Sequence, residues 1–264
     1  MSRPPLDPTL REVRDSGRRL LVPYVTGGLG GYAWIESLEA MAASGADAIE
    51  IGFPFSDPVM DGPTIQEASQ ASLDAGTTPA KILASLRDVS VGVPLVAMTY
   101  YNLAFRMGHE RFASSLAEAG ITGAILPDLP LEESGEWEAT ALEHGVSPVL
   151  LASPVTPDDR LAQIAARSRG FVYGVSVMGV TGERGAIAET AAVIGDRLKA
   201  VTETPVLIGF GVSTPEQAVA LSDHADGVVV ASALMRLLLD GKGADAVGDA
   251  VGAMRMALDA AAPK

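Results

Sequence analysis

The chain has 264 residues, no cysteine and a formal net charge of −14. This length suits a single α/β barrel domain, and the lack of cysteine excludes thiol catalysis and cysteine-ligated metal centres. The negative charge argues against general binding to nucleic acid or to anionic membranes. The apolar stretch Leu20–Val25 is too short and too proline-broken for a signal peptide, and no apolar run reaches bilayer length. We therefore expect a cytoplasmic protein.

A short apolar strand followed by an amphipathic helix recurs along the chain. The pattern predicts strands at Leu20–Thr26, Ala48–Gly52, Pro94–Thr99, Gly123–Leu126, Pro148–Ala152, Phe171–Val175, Pro205–Phe210 and Gly227–Ala231. It predicts helices near 32–44, 79–89, 109–119, 132–143, 158–167, 189–201, 215–222, 233–240 and 244–260. An earlier helix carries the main basic cluster (Arg11, Arg14, Arg18 and Arg19), whose charges we expect to be solvated.

The predicted strands are apolar on both faces, as buried parallel strands are. Eight strand–helix units predict a single (β/α)8 (TIM) barrel spanning about 20–240, with an extra N-terminal helix and a C-terminal helix. An open doubly wound sheet is the alternative. It is disfavoured because the glycines of TGGLGGY, at 26–32, lack the G-x-G-x-x-G spacing of a dinucleotide-binding turn. Thr78, Thr156 and Thr214 each precede a proline and are predicted to be helix N-caps.

Two carboxylates follow one another at the second predicted strand. Glu50 interrupts its apolar run, and Asp61 lies in the Pro- and Gly-rich loop that follows. Because loops after barrel strands gather at one mouth, both acids should face the same site. A buried Glu50 should have a raised pKa and exchange protons near neutrality, whereas Asp61 should stay ionised. The alternative is structural: Glu50 pairs with a lysine or arginine inside the barrel, and Asp61 caps a turn.

Other polar residues have plainer interpretations. Asp57 is typical of a turn. His109, His144 and His224 lie far apart in the sequence, without the spacing of metal ligands, so we expect no metal site.

A phosphate site is predicted after the last two strands. Gly209 and Gly211 follow the seventh strand, and Ser232 begins the helix after the eighth. Glycines let a ligand approach the backbone, and helix-start N–H groups hold an anion without a lysine. A chain of charge −14 could thus bind phosphate through neutral amides. The alternative is that these residues only form tight turns and an N-cap. The glycine-rich loop SVMGVTGERGA, at 176–186, is predicted to be a mobile lid.

Five stretches together resemble the tryptophan synthase alpha subunit family. They are GADAIEIGFPFSDPVMDGPTIQ, YYN at 100–102, PDLPLEE at 127–133, GVTGERG at 179–185 and IGFGVSTPEQ at 208–217. The resemblance runs in order from about Val22 to Leu237. It implies a (β/α)8-barrel lyase that splits indole-3-glycerol phosphate into indole and glyceraldehyde 3-phosphate.

The resemblance also implies roles for individual residues. Glu50 would move protons at indole C3 and at the glycerol hydroxyl, and Asp61 would hydrogen-bond the indole N–H. The implied substrate-binding residues are Tyr24, Tyr173, Thr181, Gly182, Phe210, Gly211 and Ser232. The chain departs from the family at Ala231, where many members have glycine, and at the loop 26–31.

A partner is implied in the same way. The family works with a beta subunit that carries pyridoxal phosphate and joins indole to serine, in an α2β2 assembly, while the alpha chain needs no cofactor. The resemblance predicts that Pro54–Met60 and Leu103–Arg106 face this partner. A stand-alone lyase that releases free indole is a second possibility. A non-catalytic phosphate-binding activator of the beta subunit is a third, and the presence of both acids weighs against it.

Overall fold

The computed structural model describes residues 3–175, 184–209 and 211–261, except for the side chains of residues 184–189. Eight parallel strands close into a barrel in sequence order. They are β1 (Leu20–Thr26), β2 (Ile49–Gly52), β3 (Leu95–Met98), β4 (Ile121–Ile125), β5 (Ser147–Ala152), β6 (Val172–Gly174), β7 (Val206–Ile208) and β8 (Gly227–Val230). The predicted barrel is therefore confirmed, and the open-sheet alternative is wrong.

Helices surround the barrel. They are α1 (Leu6–Asp15), α2 (Ala33–Ala43), α3 (Pro63–Asp74), α4 (Pro79–Leu86), α5 (Tyr101–Met107), α6 (His109–Glu118), α7 (Gly135–Glu143), α8 (Asp158–Arg167), α9 (Arg184–Lys199), α10 (Pro215–Ser222), α11 (Ser232–Leu239) and α12 (Gly243–Ala261). Within the described residues, none of these is long and apolar enough to cross a membrane.

Two of these helices, α3 and α5, lie where the sequence pattern predicts none. In α3 the buried face consists of Ile65, Ala68, Ser69 and Ser72, at helical spacing but with two hydroxyl side chains. Hydrophobic periodicity is weak in such a segment, because two of its four buried positions carry serine and not an apolar residue. The helix α5 is a single short segment of seven residues.

Two of the three predicted threonine caps are confirmed. Thr78 accepts a hydrogen bond from the Lys81 amide, and Thr214 forms a capping box with Gln217. The prediction for Thr156 is wrong, because Pro157 itself occupies the N-cap of α8. The Thr156 hydroxyl instead accepts a hydrogen bond from the Ser153 amide at 3.0 Å, which closes the turn after β5.

The N-terminal end of the barrel is closed by α1. Its Leu6 and Leu10 are fully buried and belong to the same apolar cluster as Val22, Phe171 and Val229 of the barrel interior. Leu6 and Leu10 thus plug this end of the barrel. Gly170 and Gly123 make room for Leu6, since a Cβ on either would lie within 2.5 Å of a Leu6 methyl carbon. The barrel is therefore open to ligands at the carboxyl ends of its strands.

The prediction that the basic cluster is solvated is wrong. Its four arginines are half-buried and pair with neighbouring acids or carbonyls that fix α1 and the turn after it. Arg18 pairs with the buried Asp47, which also accepts a 3.2 Å hydrogen bond from Arg255 of α12. Burial of Asp47 makes such partners necessary, because an unpaired buried charge is costly.

Candidate active site

Glu50 points into the barrel interior. Its strand neighbours Ile49 and Ile51 belong to the apolar layer between sheet and helices, whereas Ala48 belongs to the interior cluster. Successive strand side chains alternate between faces, so Glu50 shares the interior face with Ala48. The side chain is 1 % exposed. Its Oε2 atom is buried without a hydrogen-bond partner among the described residues.

This environment holds Glu50 in its protonated form near neutral pH. Burial, and then the negative charge of Asp61, raises the pKa of Glu50 to about 8. No described lysine or arginine side chain forms an ion pair with it, so the structural ion-pair alternative is wrong within that part of the chain. An unpaired, buried carboxyl group at the open end of a barrel is suited to proton transfer.

Asp61 lies on the loop between β2 and α3. Its backbone amide donates to the Pro58 carbonyl at 3.1 Å, and Gln66 Nε2 donates to its own carbonyl at 2.9 Å. The carboxylate accepts a hydrogen bond from the Tyr100 hydroxyl at 3.2 Å. Burial raises the pKa of Asp61 to about 6, and the Tyr100 hydrogen bond opposes that rise. At neutral pH Asp61 is therefore mainly ionised while Glu50 is mainly protonated.

Tyr24 and Tyr173 lie beside the two acids. Both are buried, and burial followed by the charges of nearby acids raises the pKa of each phenol. Tyr173 donates a long, 3.4 Å hydrogen bond to the Gly209 carbonyl. A Cβ at Gly209 would lie 2.0 Å from the Tyr173 ring, and one at Gly52 would lie 1.8 Å from the Tyr24 hydroxyl oxygen. These two glycines therefore provide the space that the tyrosines fill.

The start of α11 is suited to an anion. Its N-cap, Ala231, has no side chain that could cap the helix. The Leu234 N–H donates to the Ala231 carbonyl at 3.1 Å, which leaves the Ser232 and Ala233 N–H groups for another acceptor. The neighbouring helix α10 differs, because the Gln217 side chain already accepts from the Ser213 and Thr214 amides. Gly211 has a φ of 79°, a conformation that favours glycine and brings bare backbone to the same place.

One cavity of about 520 Å³ connects these groups. Its wall contains seven of the predicted site residues: Tyr24, Glu50, Asp61, Tyr173, Gly209, Gly211 and Ser232. Between the acids and the phosphate end the wall is mainly apolar, with Met98, Leu151 and Val229 among its side chains. The described residues do not include Thr181, Gly182 and Phe210. They also leave out 176–183 of the predicted lid at 176–186.

The remaining polar residues of the described part of the chain are scattered. Within the described residues, no group of three or more His, Asp or Glu side chains is placed to hold a metal ion. The three histidines lie apart, each against a different acid. Asp57 is exposed and accepts a hydrogen bond from Ser56, as expected of a turn.

Tyr100 has no role predicted from the sequence, although its side chain contacts one of the two acids. It lies two residues beyond the carboxyl end of β3, and that position is the signal that could have identified it. With a buried acid, an ionised acid and a helix start suited to an anion around one cavity, the fold and site define a (β/α)8-barrel enzyme.

Comparison with known proteins identifies the kind of barrel enzyme. The family model for the tryptophan synthase alpha chain matches residues 10–258. The alpha chain of Streptomyces avermitilis is 42 % identical over 94 % of this chain and 91 % of its own length. That of Geobacter sulfurreducens is 44 % identical over 87 % and 88 %.

Solved structures give the same result. A tryptophan synthase structure from Mycobacterium tuberculosis has a TM-score of 0.88, with 37 % identity over 98 % of this chain and 99 % of that chain. The alpha chain from Legionella pneumophila has a TM-score of 0.85, with 30 % identity over 96 % of each chain. The chain belongs to the tryptophan synthase alpha chain family. It is a lyase of tryptophan biosynthesis.

Proposed function

We propose that this chain cleaves indole-3-glycerol phosphate to indole and glyceraldehyde 3-phosphate, with Glu50 and Asp61 as its catalytic residues. The observation that carries the proposal is the pair of unlike carboxyl groups on one cavity wall, with pKa values of about 8 and about 6. Two acids held in different protonation states can divide proton donation and charge stabilisation between them.

The proposed reaction begins with the protonated Glu50. It gives its proton to C3 of the indole ring, which places positive charge on the ring nitrogen. The ionised Asp61 accepts a hydrogen bond from that N–H and stabilises the cation. Glu50, now a carboxylate, takes the proton of the hydroxyl on the adjoining glycerol carbon. The carbon–carbon bond then breaks, its electron pair restores the aromatic ring, and the aldehyde forms. Glu50 ends the cycle protonated.

The other cavity residues would bind and orient the substrate. The start of α11 at Ser232 and the bare backbone at Gly211 would hold the phosphate group through neutral amides. Tyr24 and Tyr173 would pack against the ring and keep water from the acids, which maintains the raised pKa of Glu50. Thr181, Gly182 and Phe210 are proposed, on the family resemblance, to complete the substrate contacts.

We further propose that indole passes to a beta subunit that carries pyridoxal phosphate, in an α2β2 assembly in the cytoplasm. The alpha chain itself would need no cofactor, because proton transfer by Glu50 and charge stabilisation by Asp61 complete the cleavage. The proposed partner face combines Pro54–Met60 with Leu103–Arg106. It displays Val59 at 81 % exposure and Phe105 at 66 %, which suits burial against another protein.

Indole release from indole-3-glycerol phosphate by the purified chain tests the proposal, with and without a beta subunit, for wild type and Glu50→Gln. Gln keeps the shape of the side chain but cannot transfer the proton. We expect kcat to fall by about 10²–10⁴-fold with KM nearly unchanged. Equal loss of substrate binding and folding would instead give Glu50 a structural role.

The same assay separates the alternatives. A beta subunit that accelerates wild-type cleavage supports the two-chain enzyme. Cleavage that is indifferent to the beta subunit supports a stand-alone lyase. A chain that stimulates the beta subunit and never cleaves substrate would be an activator only.

A further inference from the structure

Tyr100 occupies a position between the acid-bearing loop and the third strand. It is 4 % exposed and forms the N-cap of α5, with its carbonyl accepting a hydrogen bond from the Leu103 amide at 3.0 Å. The next residue is fixed as well, because the Tyr101 amide donates to Asp128 Oδ1 at 2.7 Å. The backbone at Tyr100 is therefore anchored to the barrel independently of the β2–α3 loop.

The Tyr100 hydroxyl makes two hydrogen bonds of opposite sense. It accepts one from the Met60 amide at 2.9 Å and lies 3.2 Å from Asp61 Oδ2. Because an amide N–H can only donate, the hydroxyl proton remains free for the carboxylate. Among the described side chains, no other donates a hydrogen bond to the Asp61 carboxylate.

The ring of Tyr100 is held too. It stacks on Phe55 with ring centroids 4.9 Å apart and planes 19° from parallel. Phe55 and Met60 both belong to the loop that carries Asp61, so the tyrosine contacts this loop at three points. A side chain fixed at its backbone, ring and hydroxyl can hold a carboxylate in one orientation.

We propose that Tyr100 is a positioning residue, whose hydroxyl fixes the Asp61 carboxylate at the cavity wall in the orientation that receives the substrate cation. This inference rests on the proposed function of Asp61. Tyr100 is not proposed to contact the reacting atoms. The tyrosine acts through Asp61, because it fixes the orientation of the carboxylate and stabilises its charged form.

The charges around Asp61 agree with this role. Glu50, Tyr24 and Tyr173 face it within the barrel, and none of them supplies a positive charge. The Tyr100 hydrogen bond lowers the pKa of Asp61 against the effect of burial. Burial and the Asp61 charge raise the pKa of Tyr100, so the phenol remains a donor across neutral pH.

Tyr100→Phe removes the hydroxyl and keeps the stacked ring. Tyr101→Phe is the matched control, because the neighbouring hydroxyl lies 3.0 Å from His109 Nε2 and does not contact Asp61. We expect Tyr100→Phe to lower kcat by about tenfold or more with little change in KM, since hydrogen bonds to charged groups are strong. The acid limb of its pH–rate profile should move to higher pH, while Tyr101→Phe behaves as wild type.

A second measurement does not depend on cleavage. Carbon-13 NMR of protein labelled at aspartate carboxyl groups gives the titration of Asp61, whose signal is assigned by its loss in Asp61→Asn. We expect the Asp61 titration to move to higher pH in Tyr100→Phe and to stay in place in Tyr101→Phe. An unmoved titration in a folded Tyr100→Phe protein overturns the inference. Failure of the wild type to cleave substrate would overturn the proposed function instead.

Discussion

Tyr24 and Glu50 are register partners on the adjacent parallel strands β1 and β2. Their side chains therefore leave the barrel wall at the same level and on the same face. The phenol excludes water from one side of the acid, and no described basic side chain replaces that water. Strand register thus contributes to the burial that is the main cause of the raised Glu50 pKa.

The two acids should produce a bell-shaped pH dependence of kcat/KM for the isolated chain. Activity should fall below about pH 6 as Asp61 gains a proton, and above about pH 8 as Glu50 loses one. In Asp61→Asn the acid limb should disappear. The alkaline limb should move to lower pH, because the Asp61 charge is one cause of the raised Glu50 pKa.

Stopped assays of indole release between pH 5 and pH 10 give both limbs. Asp57→Asn, in an exposed turn of the same loop, is the control and should retain the wild-type profile. An alkaline limb that stays in place in Asp61→Asn would show that the two carboxyl groups do not interact.

Gly209→Ala should disturb the site through Tyr173. The added methyl group would lie 2.0 Å from the buried ring, which has little room to move. We expect the free energy of unfolding to fall by about 1–3 kcal/mol, as in other overpacked interiors. The kcat/KM should fall as well, because the displaced ring borders Glu50.

Denaturant unfolding and steady-state kinetics of Gly209→Ala test both effects. Gly135→Ala is the matched control, since a Cβ at this exposed first residue of α7 meets no atom within 4 Å. Wild-type stability and kinetics in Gly209→Ala would mean that Tyr173 is free to take another position.

Ser232→Asp tests the phosphate end of the cavity. A carboxylate at the first residue of α11 should stabilise the helix by about 0.3–1 kcal/mol, because it complements the helix dipole. The same carboxylate should repel a phosphate group and accept hydrogen bonds from the amides that would otherwise bind the phosphate. We therefore expect KM to rise strongly in a protein whose melting temperature is unchanged or higher.

Ser232→Ala keeps the amides and should change KM much less. Calorimetry and steady-state kinetics on the two variants make the comparison. If Ser232→Asp leaves KM at the wild-type value, the phosphate binds elsewhere in the cavity.

Much of the barrel was predictable, because its strands are short, apolar on both faces and separated by well-marked helices. The helix α3 was not, since Ser69 and Ser72 lie on its buried face and reduce the periodic signal. The arginines of α1 illustrate another limit. Their charge pattern is that of a solvated helix, and only the tertiary structure shows Arg18 beside the buried Asp47.

The site was predictable to a similar extent. An acid within an apolar strand identified Glu50, but the pattern could not decide between an ion pair and an isolated acid. That choice depends on which side chains the closed barrel brings together. Tyr100 shows the same limit, because its contact with Asp61 joins residues from two different strand–loop units.

The burial of Leu6 and Leu10 in the amino end of the barrel limits how substrate enters and how products leave. Because leucine side chains fill the amino end of the barrel, substrate and both products must enter and leave at the carboxyl end of the strands. Indole and the triose phosphate cannot leave through opposite ends of the barrel. Whatever covers the carboxyl end, including a docked partner protein, therefore lies on the path of both products.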